Sequence, residues 1–382
     1  MNGIPLRWQV RERREIAYDV IKAPQLFHPD NAALLSLGRR DGGRRFVVVD
    51  NNVARLHGRA IRSYFAHHGI EAGIAVFPGG EEHKTIEVYQ ELLRELDAFP
   101  IHRRDEPIIA IGGGVLTDVA GFVAASYRRS VPHIKVPTTL MGYIDAALGI
   151  KAGINFNGNK NRLGSFEPPL AVFLDKSFLR TLPHRHLLNG MCEIIKLAII
   201  RDVALFELLE AHGAESVAAC FANPAGDDIL DRAIGGMLDE LAPNLYEEQL
   251  SRKVDFGHTF SYGLETRHED RLLHGEAVLL DILVSIFIAV HRGLLPEDDA
   301  GRVFALVERL GIKPDLGVLG TEVMWQSLLD RIEHRNGLQR VPMPAGLGQC
   351  VFLNNIARRE LETAVLALHA RLKATHEPAC ER

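Results

Sequence analysis

The sequence predicts an α/β domain with a mainly parallel sheet, followed by a helical domain. Short β-branched runs alternate with helical stretches up to about residue 176. From Ser177 onward apolar residues recur instead at helical spacing, over 185–200, 203–212, 228–241, 277–290 and 302–310. One strand-like run opens directly onto Gly112-Gly113-Gly114 and then a helical stretch, a connection common in parallel sheets. The expected division is residues 1–176 and 177–382.

Arg45-Phe46-Val47-Val48-Val49-Asp50 is apolar at consecutive positions, as a strand buried on both faces must be, and Asp50 falls at its carboxyl end. Gly73-Ile74-Ala75-Val76-Phe77 reads as a second strand, leading into a turn-forming, charged loop that contains Glu81 and Lys84. A helix is expected over 85–96. A third strand, Pro107-Ile108-Ile109-Ala110-Ile111, ends at the triple glycine, and helical spacing resumes over 115–124. Strand, glycine turn and helix can bring backbone N–H groups and a helix N-terminus against a pyrophosphate. The pattern is not GxGxxG, and such a turn serves equally well as a tight connection, so both readings stand.

Val136-Pro137-Thr138-Thr139-Leu140 follows, then Asp145, Lys151 and a loop over 153–164 rich in glycine and asparagine. Lys151, Lys160 and Asn161 lie where there is little apolar content to bury and are expected to line a cleft. The alternative is a solvated loop with surface lysines.

The chain has 382 residues and is 47% hydrophobic, enough for a large core and about two domains. A formal charge of -5 with both signs interspersed gives no reason to expect nucleic acid or an anionic membrane as partner. Cys192, Cys220, Cys350 and Cys380 lack paired CxxC spacing, so neither a disulfide framework nor a thiolate metal site is expected. The polar N-terminus, Met1 to Trp8, lacks the apolar core of a secretory signal, and a cytoplasmic location is expected. The most apolar run, 277–290, is interrupted by Asp281 and falls short of the roughly 20 residues that cross a bilayer, so it reads as a buried helix. The tail after Lys373 is expected to fray.

The helical half carries the densest chemistry, in Val254-Asp255-Phe256-Gly257-His258-Thr259-Phe260-Ser261-Tyr262 and in His274-Gly275-Glu276. His258 and His274 are too far apart to share a helical turn, and a bound metal would give them a reason to converge. Glu193 is the third ligand expected, since carboxylate oxygen and imidazole nitrogen suit Zn²⁺ and three protein ligands leave a position open for substrate. The alternative is that each histidine only satisfies a hydrogen bond. Glu193 and Lys196, three apart, share a helix face among apolar neighbours. If buried, the carboxylate asks for a metal and the lysine for a phosphate or substrate oxygen; if exposed, they are a surface ion pair.

With these residues in view the chain resembles the sugar phosphate cyclases, the superfamily of 3-dehydroquinate synthase. Gly112-Gly113-Gly114-Val115, Asp118, Ala120-Gly121-Phe122, Pro137-Thr138-Thr139-Leu140, Asp145, Lys151, Lys160-Asn161, Glu193, Lys196, Phe256-Gly257-His258-Thr259 and His274-Gly275-Glu276 match in order, between about Phe46 and Phe352. The resemblance implies a Rossmann-like N-terminal domain holding NAD, an all-helical C-terminal domain carrying a metal, an active site between them, and a homodimer. It implies that Glu193, His258 and His274 hold Zn²⁺ or Co²⁺. Asp50, Glu81, Lys84, Gly113, Gly114, Asp118, Thr138, Thr139 and Lys160 would contact NAD. Asp145, Lys151, Asn161 and Lys196 would face substrate, and Arg129 would reach the phosphate in the neighbouring subunit's site. The implied activity is transient oxidation, phosphate elimination, reduction, ring opening and intramolecular aldol addition, with NAD recycled.

Departures from the family pattern bear on the substrate. Where dehydroquinate synthases place a lysine, an arginine and an asparagine near a substrate carboxylate, an ungapped count finds Met237, Ser251 and Asp255. Two cations are gone and an acid has arrived, so a carboxylate would meet repulsion and a neutral hydroxymethyl ketone would suit. The substrate implied is sedoheptulose 7-phosphate, and the stretches 252–261 and 337–342 look like the subgroup that makes C7 cyclitols from it. Tyr262 stands where dehydroquinate synthases have histidine and where the 2-epi-5-epi-valiolone branch is expected to have proline. Four residues after His258, it is expected on the same helical face, touching substrate, with packing against the apolar helix as the alternative. It leaves 2-epi-5-epi-valiolone and 2-epi-valiolone both open as products. A metal-dependent polyol dehydrogenase shares the two-domain plan but has no use for Lys151, Asn161 and Lys196. A non-catalytic sugar-phosphate binder would not need the three metal ligands, and dehydroquinate synthase itself is disfavoured by Met237 and Ser251.

Overall fold

The computed structural model describes residues 7–39 and 43–376. The expectations drawn from the first six residues, from Cys380 and from the tail beyond 376 fall outside the described residues. In chain order the first half holds β1 (Asp19–Lys22), β2 (Arg44–Asp50), α1 (Asn51–His67), β3 (Glu71–Phe77), α2 (Ile86–Ala98), β4 (Ile108–Gly112), α3 (Gly114–Ser126), β5 (His133–Pro137), β6 (Lys151–Phe156), β7 (Asn159–Phe166) and β8 (Ala171–Leu174). Six strands form one parallel sheet in the order β1-β8-β5-β4-β2-β3.

Alternation along β2 shows why its sequence is apolar without a break. Phe46 and Val48 pack with Leu92 and Leu96 of α2 and Leu116 and Val119 of α3, while Val47 and Val49 pack with Ile61 and Phe65 of α1 on the opposite face. Asp50 ends β2 and caps α1, accepting the Asn52 N–H at 2.8 Å. The chain leaves β2 for β3 on one side and resumes at β4 on the other. That reversal opens a crevice at the carboxyl ends of these strands, where ligands of open α/β sheets bind.

The segment 153–164 is not a loop but an antiparallel hairpin of β6 and β7, with Gly153 opposite Gly164. Its inner strand buries Ala152, Gly153 and Ile154 against α3, a pattern concealed by the polar, mostly exposed β7.

The second half comprises α4 (His184–Ile200), α5 (Val203–Ala218), α6 (Pro224–Leu241), α7 (Ser261–Arg267), α8 (His274–His291), α9 (Glu297–Arg309), α10 (Thr321–His334) and α11 (Arg358–His376). It is not all-helical, because β9 (Val341–Pro344) and β10 (Cys350–Leu353) pair antiparallel between α10 and α11. These strands are too short for a period to show, and the two prolines in β9 masked it. Helix α8 is long and apolar enough to cross a membrane but lies buried, packed by α4, α7, α9 and α11, as a core helix would. We propose Lys176, at the start of the turn between β8 and α4, as the boundary between the domains.

Candidate active site

Two glycines bring the histidines to Glu193. Gly275, in the first turn of α8, lies so close to α4 that a Cβ there would strike the Asn189 carbonyl, and its N–H donates to Asn189 Oδ1 at 2.7 Å. Gly257, at φ +78°, presses the chain before His258 onto α8, where a Cβ would sit 2.7 Å from Val278 Cγ1. Glu276 accepts the Leu273 N–H at 2.8 Å and pairs with Arg185 of α4 at 2.7 Å, fixing the start of α8. The fold thus places both histidines beside Glu193.

Glu193 is fully buried, and its carboxylate is met by three basic side chains. Oε1 lies 3.6 Å from His258 Nε2 and 3.5 Å from His274 Nε2, while the Lys196 ammonium rests on Oε2. Ligand atoms at bond lengths of ~2.1 Å about a tetrahedral Zn²⁺ stand roughly 3.4 Å apart, so these separations fit that ion closely. All three ligand atoms lie within 4.8 Å of one another. Burial alone would raise the Glu193 carboxyl, but Lys196 and the two histidines hold it below the ordinary range. Burial, and then the Lys196 charge, push His258 down to about 3, leaving it neutral as a ligand must be. For His274 burial is outweighed by Glu265 and Glu193, which raise it, so metal binding there would release a proton.

Above this cluster lies a cleft of about 1820 Å³. Its sheet-side wall is the crevice at the strand ends, with Asp50, Glu81, Lys84, Gly113, Gly114, Asp118, Thr138 and Thr139 all on it, and Lys160 reaches it from the hairpin. Gly113 and Gly114 begin α3 without a side-chain cap, leaving that helix terminus open to a phosphate. Lys84 is buried and donates to Asp118 at 2.6 Å and to Asn161 at 2.5 Å; burial would lower its pKa, but Asp118 raises it. Asn161, expected to face substrate, is therefore tied to the Lys84 side of the cleft.

Asp145 lies in a single π-turn (Gly142–Ala146) after β5, and burial followed by the Glu193 charge raises its carboxyl. Lys196 and Met237 lie on helices α4 and α6 and line the cleft, and Lys151, exposed, pairs with Glu247. Asp255 also lines it but is not isolated: Arg335 Nη2 stands 3.4 Å and Arg252 Nη2 3.6 Å from its oxygens. Burial would raise Asp255, and Arg252 and then Arg335 lower it. The corner counted as stripped of cations thus holds two arginines, brought there by tertiary packing, but each is already engaged by an acid. Ser251 is exposed and accepts from Arg340. Tyr262 lines the cleft under Arg331, whose guanidinium lies 5.3 Å from its ring. It does not share a helical face with His258, because α7 begins only at Ser261. Arg129 is exposed at a turn of positive φ and away from this chain's own cleft.

Sequence reasoning missed Glu265, Glu247 and Arg335. Glu265 touches His274 and Lys160, Glu247 touches Lys151 and Arg252, and nothing local distinguished any of them from surface charge.

Three metal-competent side chains beneath a deep cleft, walled by paired lysines and a glycine-opened helix, define an enzyme that works between two domains rather than a passive binder. The chain belongs to the 3-dehydroquinate synthase family, and it is an enzyme of that type: the model described as 3-dehydroquinate synthase N-terminal matches residues 74–189 and that described as 3-dehydroquinate synthase C-terminal matches 190–334. It is 46% identical over 366 residues to a 2-epi-5-epi-valiolone synthase of Streptomyces albus, covering 94% of this chain and 89% of that protein. It is 35% identical over 365 residues to a 2-epi-valiolone synthase of Actinosynnema mirum, covering 94% of each. Among solved structures, ValA (2-epi-5-epi-valiolone synthase) from Streptomyces hygroscopicus subsp. jinggangensis, with NAD⁺ and Zn²⁺ bound, superposes with a TM-score of 0.92 at 42% identity, covering 95% of this chain and 100% of that one.

Proposed function

We propose that this enzyme cyclises sedoheptulose 7-phosphate to 2-epi-5-epi-valiolone with release of phosphate, using NAD and Zn²⁺ (or Co²⁺). The observation that carries the reading is the Glu193, His258 and His274 cluster facing a cleft that Met237 and Asp255 help to line. Likeness above 40% identity to two 2-epi-5-epi-valiolone synthases supports the product. When bound, the metal would lower the pKa of a substrate hydroxyl and NAD would take up and return a hydride.

The chain's own residues do the rest. Glu193, His258 and His274 hold the metal, and the sheet-side residues named above hold NAD at the strand ends. Lys196, which burial would discharge but which Glu193 and Asp145 together keep charged, presents Nζ to substrate oxygens beside the metal site. Lys151 offers a flexible cation to the phosphate once it leaves Glu247, and Asn161 orients Lys84. Asp255, ionised by its arginines, accepts a hydroxyl hydrogen of a neutral substrate and repels a carboxylate. Arg129, remote from its own cleft, completes the phosphate site of a second copy in a homodimer in the cytoplasm.

Tyr262 favours one second reading, 2-epi-valiolone as product. The deciding experiment incubates metal-loaded protein and NAD⁺ separately with sedoheptulose 7-phosphate and with the dehydroquinate precursor, assaying phosphate and the configuration of any cyclic product. Phosphate from the first alone, with 2-epi-5-epi-valiolone as product, is the expected result. The other epimer would move the assignment to the second reading, and turnover of the precursor alone would overturn both.

A further inference from the structure

Glu265 of α7 divides its two oxygens between two partners. Oε2 lies 3.2 Å from His274 Nδ1, and Oε1 accepts Lys160 Nζ at 2.8 Å. Lys160 belongs to β7 and His274 begins α8, so one carboxylate joins the hairpin of the sheet domain to the helical one. The other nitrogen of His274, Nε2, faces Glu193 at 3.5 Å. An imidazole offers Nε2 as an electron-pair donor to a metal when its remaining proton sits on Nδ1, and an acceptor at Nδ1 holds that proton in place. Glu265 and Lys160 are both largely shielded, with side chains 16% and 8% exposed, so these contacts are weakly screened.

We propose that Glu265 is a positioning residue that fixes His274 for metal ligation, and that Lys160 moderates how strongly it does so. The proposal rests on reading Glu193, His258 and His274 as a metal site. Lys160 and His274 compete for the charge of one carboxylate: an ammonium on Oε1 makes Glu265 a weaker acceptor for Nδ1–H, and hence His274 a weaker ligand. Glu269, with an oxygen 3.0 Å from Lys160 Nζ, shares the ammonium and so limits that draw.

The two ends of the ion pair therefore predict opposite outcomes. Zn²⁺ and Co²⁺ affinities are measured without NAD or substrate, by competition against a chromophoric chelator, with the Co²⁺ absorption spectrum as a second readout. Glu265→Gln is expected to lose roughly 10–100-fold in affinity with an altered Co²⁺ spectrum. Lys160→Met is expected to bind metal at least as tightly as the parent. If the pair were only a clip between domains, breaking it from either end would weaken binding alike, and that result overturns the proposal. So does a Glu265→Gln affinity within about twofold of the parent's, a change too small for a group that orients a ligand. Thermal unfolding checks that each variant folds; should Glu265→Gln not fold, Glu265→Asp, which withdraws the carboxylate from Nδ1, is held to the same expectation. A parent that binds Zn²⁺ but releases no phosphate from sedoheptulose 7-phosphate would end the proposed reaction and leave this test standing.

Discussion

Asp281, inside α8, accepts the backbone N–H of Thr259 at 2.9 Å, and Thr259 directly follows His258. The same oxygen takes the N–H groups of Phe260 and Ser261 at 2.5 and 3.0 Å, and Ser285 donates to the other at 3.2 Å. The acid that interrupts the apolar run thus anchors the start of α7 just behind His258. Asp281→Ala should cost on the order of 3 kcal/mol in chemical denaturation, since three buried N–H groups lose their acceptor.

Burial raises the Asp281 carboxyl from 3.8 to about 6 against those hydrogen bonds. With the folded pKa above the unfolded one, its contribution is fully present below pH 4 and is lost as pH rises through 6. Asp281→Asn does not titrate, and its amide can still accept from the N–H groups and donate to Ser285. Relative to that variant, the parent should gain about 2 kcal/mol on going from pH 7 to pH 4, read from urea unfolding at each pH. A flat difference would mean that Asp281 stays ionised throughout.

Glu193→Gln should lower affinity for Zn²⁺ by roughly a hundredfold or more, because it removes the charged ligand and leaves Lys196 buried without its counter-charge. Chelation of the parent should abolish turnover, and either Zn²⁺ or Co²⁺ should restore it. Metal analysis showing a full equivalent on purified Glu193→Gln would remove Glu193 from the ligand set.

Asp255→Ala should reduce kcat/KM for sedoheptulose 7-phosphate by about 10–100-fold through loss of a charged hydrogen bond to a substrate hydroxyl. It should also destabilise the protein, because Arg335, only 4% exposed, loses its carboxylate. Steady-state kinetics beside thermal unfolding separates the two effects. A variant with lowered stability but unchanged kcat/KM would make Asp255 structural only.

Arg129→Ala and Lys196→Met should each be nearly inactive alone. If Arg129 serves the partner's site, mixing the two chains under exchanging conditions rebuilds one complete site in each mixed dimer. Random pairing then restores about a quarter of parental activity. No recovery, with exchange verified by mass, would show that Arg129 does not serve the partner's site, and an Arg129→Ala chain that is active alone would place it outside the catalytic cycle.

Local pattern was enough to find the central strands, most of the major helices and the division of labour along the chain. Buried strands are apolar at every position and amphipathic helices repeat at 3.6, and β2 and α4 show both patterns without any long-range information. The hairpin of β6 and β7 escaped because its outer strand is polar, and β9 and β10 because four residues carry no period. Glu193, His258 and His274 could be picked out as a candidate metal set from the sequence because metal chemistry restricts residue type so strongly.

The surroundings of those residues were decided in three dimensions. Arg335 reaches Asp255 across 80 positions, and Lys160 reaches Glu265 across 105. No periodicity links such residues; only the packing of distant elements brings them together, as the close approaches at Gly257 and Gly275 bring His258 and His274 to Glu193. The sequence by itself thus determined which groups are on offer for chemistry, since residue type sets donor atoms and charge. Tertiary structure alone decided which charge each one faces, and in a buried site that choice governs protonation and ligand strength.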